Sequence, residues 1–263
     1  MELVGPKIGI VGGTGGIGSW FVKFFENQGL NVSYAGRKTP LAPADMAKKS
    51  DVVIVSVPIS VTDRVIREIG PLVPEDGLLM DLTSIKKGPV ETMLKFTRSE
   101  VAGAHPLFGP DEKKIEGLRI ALCPGRGEKW LKWLNGILVK SGFTVICMEP
   151  EEHDRMMGLI QGVNHFSTFA LALCISRSGF KVEDIIKCST ETFKRRLDRI
   201  VSIFEQPVTL FESLLMENAA ATEFMVQYHE ACKELIRITE VKDKEAFGRI
   251  ALTLKDFFKD TPN

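Results

Sequence analysis

The hydrophobic rhythm of the chain changes once. Up to residue 150, short apolar runs alternate with stretches whose apolar positions recur at helical spacing. The runs are Lys7–Val11, Gly29–Ala35, Ser50–Pro58, Gly77–Ser84, Val101–Ala104, Leu118–Leu122 and Phe143–Cys147. The most continuous of them, such as the one ending at Val57, suit strands buried on both faces of a parallel sheet. Between them, Trp20–Phe25, Ser60–Ile69 and Trp130–Val139 read as helices, the second capped by Ser60. This alternation predicts an α/β domain over residues 1–150 with a doubly wound, mainly parallel sheet, whose ligands bind beyond the carboxyl ends of the strands. From Glu151 the strand pattern stops, and Asp154–Ser178, Val182–Phe204, Val208–Thr239 and Asp243–Lys259 are long and amphipathic. They predict an all-α second domain over residues 151–263 whose Leu, Ile, Phe and Met faces call for a second subunit.

The first strand runs into Gly13, Gly15 and Gly18 at G-x-G-x-x-G spacing, and a helix follows. Strand, tight turn and helix start in that order make the sheet Rossmann-type and hold a dinucleotide pyrophosphate against free backbone N–H groups. The candidate cofactor residues here are Gly13, Thr14, Gly15, Gly16, Ile17 and Gly18, joined by Ser56 and Pro58 at the end of the third strand. After the second strand comes Gly36-Arg37-Lys38, with no acid between Ser33 and Lys38 to take the ribose hydroxyls of NAD. The cofactor is therefore read as NAD or NADP, with a slight lean to NADP because Arg37 can meet a 2′-phosphate.

Charge and cysteine content narrow the classes further. Lys plus Arg equals Asp plus Glu at 34 each, so no net field favours nucleic acid or an anionic membrane. The five cysteines form no C-x-x-C pair, and His153 and His165 lie about three helical turns apart, so no metal site is expected. No basic-then-apolar leader opens the sequence and no apolar run reaches membrane-spanning length, which together read as a soluble cytoplasmic protein.

Several polar residues fall where chemistry is expected. His105-Pro-Leu-Phe-Gly-Pro110 fixes one imidazole in a rigid loop at a strand end, where it can accept a hydroxyl proton as hydride leaves, or simply satisfy loop backbone. In Asp81-Leu-Thr-Ser-Ile-Lys86, Ser84 can bridge substrate and nicotinamide, although capping of the next helix by Thr83 or Ser84 is the simpler role. Gln161 and His165 share a helix face at i and i+4. His153, near the start of that helix, reads as part of a charged network. Arg195, Arg196 and Arg199 form a basic helical cluster that is either solvated or grips a carboxylate.

These pieces in this order resemble the prephenate dehydrogenase family. The resemblance rests on the glycine turn, Asp81–Lys86, His105–Pro110 and Glu152-His-Asp-Arg-Met-Met-Gly-Leu-Ile-Gln-Gly-Val-Asn-His165, and runs from Lys7 past Met216. It implies oxidative decarboxylation of prephenate to 4-hydroxyphenylpyruvate, in tyrosine biosynthesis, by a homodimer joined through the helical domain. Carried over by position, His105 is the catalytic histidine, Ser84 orients hydroxyl and nicotinamide, and His165 is a substrate-side histidine. One departure stands out: Ser202 occupies the column of the family's carboxylate-binding arginine, and Arg199, one turn earlier, is the substitute. This leaves prephenate and arogenate open as substrates. Members of the family are sometimes fused to chorismate mutase or prephenate dehydratase. Two other classes fit the glycines and Arg37: a deazaflavin-dependent NADP reductase, and a non-catalytic NADP sensor.

Overall fold

The structure, a computed structural model, describes residues 5–261. Its amino-terminal unit is one seven-stranded sheet built from β1 (Lys7–Val11), β2 (Asn31–Ala35), β3 (Val52–Val55), β4 (Leu78–Asp81), β5 (Glu100–Pro106), β6 (Arg119–Arg126) and β7 (Thr144–Cys147), in the order 2-1-3-4-5-6-7. All neighbours are parallel except β5 and β6. The helices α1 (Gly16–Asn27), α2 (Pro43–Ala47), α3 (Ile59–Ile69), α4 (Lys87–Phe96) and α5 (Lys129–Lys140) cover its faces.

Period-two side-chain direction divides the core into two layers. In β3, Val52 and Ile54 join Phe21, Phe24 and Phe25 of α1 and Leu134 and Leu138 of α5 on one face. Val53 and Val55 join Ile66 and Ile69 of α3 and Met93 of α4 on the other. Burial on both faces is why this strand is continuously apolar in sequence. The two boundaries that bear on the site differ from expectation. β5 continues through His105 to Pro106, and β6 is longer than Leu118–Leu122 and antiparallel to β5. Ser60 does not cap α3; Pro58 takes the N-cap position, and no side chain bonds there.

The helical unit comprises α6 (Pro150–Met157), α7 (Asn164–Ser176), α8 (Val182–Lys187), α9 (Glu191–Phe204), α10 (Val208–Met216), α11 (Ala219–Glu240) and α12 (Lys244–Phe258). Three of the four long stretches are thus subdivided. The first carries a π-helical turn, Gly158–Val163, between α6 and α7. The second breaks where Thr190 caps α9 through Phe193 N–H, and the third where Asn218 caps α11 through Ala220 N–H.

Taken as one helix, Pro150–Ser176 has 27 residues, and an 18-residue stretch of it has a mean hydropathy of 1.3, long and apolar enough to cross a membrane. This corrects the expectation drawn from apolar runs, because Gln161, Asn164 and His165 interrupt the run but not the helix. α7 buries none of its residues within one chain.

The π-helical turn crosses the start of α11 at backbone distance. A Cβ on Gly158 would sit 2.9 Å from Ala220 C and 3.0 Å from Ala221 N, and neither backbone atom can yield without moving the helix. Gly158→Ala is therefore expected to destabilise the fold by about 2 kcal/mol in chemical denaturation. A loss below about 0.5 kcal/mol would show that the crossing relaxes freely.

Candidate active site

The carboxyl ends of the parallel strands form one edge. Val11, Val55, Asp81 and Gly103 stand in a single register row across β1, β3, β4 and β5. Gly12, Ser56, the loop after Asp81, and His105 all lie just beyond it.

At the first of these positions the chain turns into α1. The left-handed residue is Gly12, at φ +86°, and a Cβ there would lie 2.1 Å from the Ser56 carbonyl oxygen. The sequence motif assigned the turn to Gly13, which instead packs against Tyr34. A Cβ on Gly18 would come within 2.3 Å of the Gly12 carbonyl oxygen, so helix and turn touch along their backbones. Thr14, Gly15 and Gly16 are exposed, and α1 starts with no side chain on its first N–H groups. This cradle fits an anionic diphosphate. Half-buried Ile17 packs on the core below, Ser56 is half-buried, and Pro58 and Arg37 are exposed on neighbouring loops of the same edge. Trp20 Nε1 donates to the Glu112 carbonyl at 2.8 Å, and its ring lies 5.0 Å from Phe108, which anchors the loop after His105 onto α1.

His105 is only 3% exposed. Its Nδ1 lies 2.9 Å from Nε2 of His153, whose Nδ1 is 2.8 Å from Asp154 Oδ1. The Asp154 carboxylate also accepts the backbone N–H of Lys86 at 2.7 Å and of Lys87 at 3.0 Å. These donors fix the protons along the chain. A carboxylate only accepts, so His153 carries a proton on Nδ1; with both imidazoles neutral, His153 Nε2 accepts and His105 donates from Nδ1. The lone pair of His105 is left on Nε2, facing the Gln161 side-chain nitrogen at 3.4 Å.

Electrostatics keep that nitrogen free. Burial, then His153, then Lys86 hold the His105 imidazole well below its ordinary value of 6.5. Lys86 is fully buried, paired with fully buried Asp81, and donates to the Ala104 carbonyl at 2.9 Å beside His105. Asp81 also accepts the Thr83 N–H and hydroxyl, so Thr83 is committed there. Neither Thr83 nor Ser84 caps α4; Asp154 takes that role from the other unit. Half-buried Ser84 makes no hydrogen bond among the described residues.

The remaining candidates gather on the helical unit. His165 stacks edge-on against Phe211 at 5.2 Å, and its buried Nδ1 has no partner among the described residues. Burial and then the neighbouring Arg199 guanidinium lower its pKa. Arg199 is thus close enough for its charge to act on His165, and that of Arg196 acts on Tyr228. Gln161 reaches His105 from the π-helical turn. No group of three or more metal-binding side chains occurs among the described residues.

Sequence reasoning left three members out of this site: His153, read only as part of a charged network and here fully buried against Asp154, Asp154 itself, and Lys86. The E-H-D run was visible, but Asp154 meets its backbone partners across 68 and 67 residues of chain. No local pattern reports that.

Fold and site together define a nucleotide-binding Rossmann-type protein whose helical second unit brings His153 and Gln161 to His105 at the same sheet edge. Residues 26–147 match the family profile described as prephenate dehydrogenase, nucleotide-binding domain, and residues 149–253 match prephenate dehydrogenase, dimerization domain. The chain belongs to the prephenate dehydrogenase family. It is 34% identical over 269 residues to a probable arogenate/prephenate dehydrogenase of Methanocaldococcus jannaschii, covering 95% of this chain and 60% of that protein. It is 32% identical to a T-protein of Haemophilus influenzae, covering 97% and 67%. The chain thus spans about three fifths to two thirds of the length of these curated relatives. In fold it is similar to Aquifex aeolicus prephenate dehydrogenase in complex with hydroxyphenyl propionate and NAD+ (TM-score 0.75, 19% identity, 100% of both chains). It is also similar to Synechocystis arogenate dehydrogenase (TM-score 0.74, 18% identity, 97% and 99%).

Because the folded protein holds His105 neutral, the unfolded chain binds the extra proton first as pH falls through 6.5. Stability is then lost on acidification. Thermal midpoints measured from about pH 7.5 to pH 5 should fall more steeply in the wild type than in His105→Asn. Equal slopes would mean that His105 protonates equally in both states.

Proposed function

We propose that the chain catalyses the oxidative decarboxylation of prephenate to 4-hydroxyphenylpyruvate, a step towards tyrosine, as a homodimer. The observation that carries this reading is the buried His105 at the strand edge beside the glycine cradle, with Nδ1 bonded to His153 and Nε2 turned towards Gln161. A nicotinamide dinucleotide, when bound, supplies the hydride acceptor, held by Gly13 to Gly18 with its diphosphate on the first turn of α1. Either NAD or NADP suits this cradle; a preference for the 2′-phosphate would rest on exposed Arg37.

The protein residues position the substrate and move one proton. The ring hydroxyl takes the place of Gln161 at His105 Nε2, which accepts its proton as hydride leaves the carbon bearing that hydroxyl. Loss of carbon dioxide then makes the ring aromatic, and the proton returns to the phenolate oxygen, so the base is restored. Ser84, which is not needed as a cap, holds the same hydroxyl. On the helical unit Gln161, His165 and Arg199 face the side chain of the substrate, where the guanidinium grips its carboxylate and the orphan Nδ1 of His165 gains a partner. Exposed apolar residues support the dimer: Leu159, Leu173 and Phe204 are each about half exposed on one chain (50%, 49% and 54%).

Absorbance of reduced nicotinamide tests the reading, with prephenate and arogenate each offered beside NAD and NADP. Prephenate should drive reduction, and silence with every pair in protein shown to bind dinucleotide would favour a sensor. In the same assay His105→Asn should lower turnover about 100-fold with dinucleotide binding intact. Arg199→Ala should act mainly on KM, losing about 2 kcal/mol in kcat/KM. An effect no larger than that of Arg195→Ala would remove Arg199 from the site.

A further inference from the structure

Asp154 stands in no chemical role so far, yet its carboxylate is where the two units meet. It belongs to α6 of the helical unit, and its side chain is 15% exposed. Both oxygens accept backbone N–H groups at the start of α4 in the sheet unit, and Oδ1 also accepts from His153. The Asp154 carbonyl accepts from Asn218 Nδ2 at 2.8 Å, which ties it to the start of α11. A carboxylate meant only to cap α4 has no need of a fully buried imidazole on its third bond. A fully buried imidazole between a base and a carboxylate has a chemical use.

We propose that His153 and Asp154 are positioning residues that form a proton relay behind His105. As His105 gains the hydroxyl proton on Nε2, its Nδ1 proton passes to Nε2 of His153, and the resulting imidazolium lies against the Asp154 carboxylate. When the ring becomes aromatic the same protons move back. Nothing is consumed, and the positive charge spends the transfer beside a fixed counter-charge rather than beside Lys86. This rests on the reading of His105 given above. It also makes the base depend on docking of the two units, because separating α6 from α4 would take Asp154 and His153 away together.

Lys86, at the start of α4, acts on His105 and is itself paired with Asp81 at the end of β4; Cys123 of β6 lies within reach of Lys86, Asp81, Asp154 and Glu149. Lys86 opposes a proton on His105. Asp154 is the group that bonds directly to His153, so its removal weakens the basicity of the pair.

The test is the pH dependence of kcat/KM for prephenate in the wild type, Asp154→Asn and His153→Gln. The glutamine keeps Asp154 and its caps on α4 in place, and its amide oxygen still accepts from His105 Nδ1, but it takes no proton. Both variants should lose about 100-fold in kcat. The acidic limb of Asp154→Asn should move to lower pH by about one unit, since a weaker base stays unprotonated further into acid. That of His153→Gln should move to higher pH, since a group that holds His105 down is gone. Dinucleotide affinity should hold. If Asp154→Asn fails to fold, His153→Gln carries the test alone. A loss of activity with the limb unmoved, or activity within about twofold of the wild type, would overturn the relay. Wild-type protein silent towards prephenate would overturn the reading of His105 itself, and with it the relay.

Discussion

The site depends on one carboxylate that accepts three hydrogen bonds. Asp154 caps the start of α4, orients His153 and through it sets the proton on His105, so a backbone cap and a side-chain tautomer are decided by the same atoms. Net protein hydrogen bonds are individually modest, about 1 kcal/mol, but those to a charged, largely buried acceptor are stronger, and losing the acceptor would strand three donors at once. That makes the contact between the sheet unit and the helical unit specific in register as well as favourable in energy.

The buried Lys86 and Asp81 pair acts from the other side. Ion pairs taken wholly out of water add little net stability, because desolvation offsets their attraction. This one lies against the Ala104 carbonyl, one residue from His105, and its cation disfavours a second positive charge there. Its position fits a role in tuning the base better than a role in holding the sheet. The sheet already has two packed layers to hold it.

Much of this architecture was legible in the sequence for physical reasons. Strands buried on both faces must be continuously apolar, so β3 and β4 declared themselves, and the glycine spacing declared the turn before α1. His105 was visible because prolines and a glycine fence it in. What stayed hidden depends on distant partners or on backbone detail. The π-helical turn leaves no periodic trace yet aims Gln161 at His105. The left-handed role fell to Gly12 because the Ser56 carbonyl, 44 residues away, leaves no room for a Cβ. His153 read as one member of a charged run because it follows two glutamates, and only the fold shows that the imidazole turns inward. The breaks at Thr190 and Asn218 were masked by apolar periodicity that continues through them.

The central claim is a protonation state: His105 is neutral, with its proton on Nδ1 and its lone pair on Nε2. Nitrogen-15 spectra of histidine-labelled protein at about pH 7.5 read this directly, with His105→Asn assigning the resonance. The account predicts the Nδ1–H tautomer for both His105 and His153. An Nε2–H proton on His105, or an imidazolium there at that pH, would contradict it.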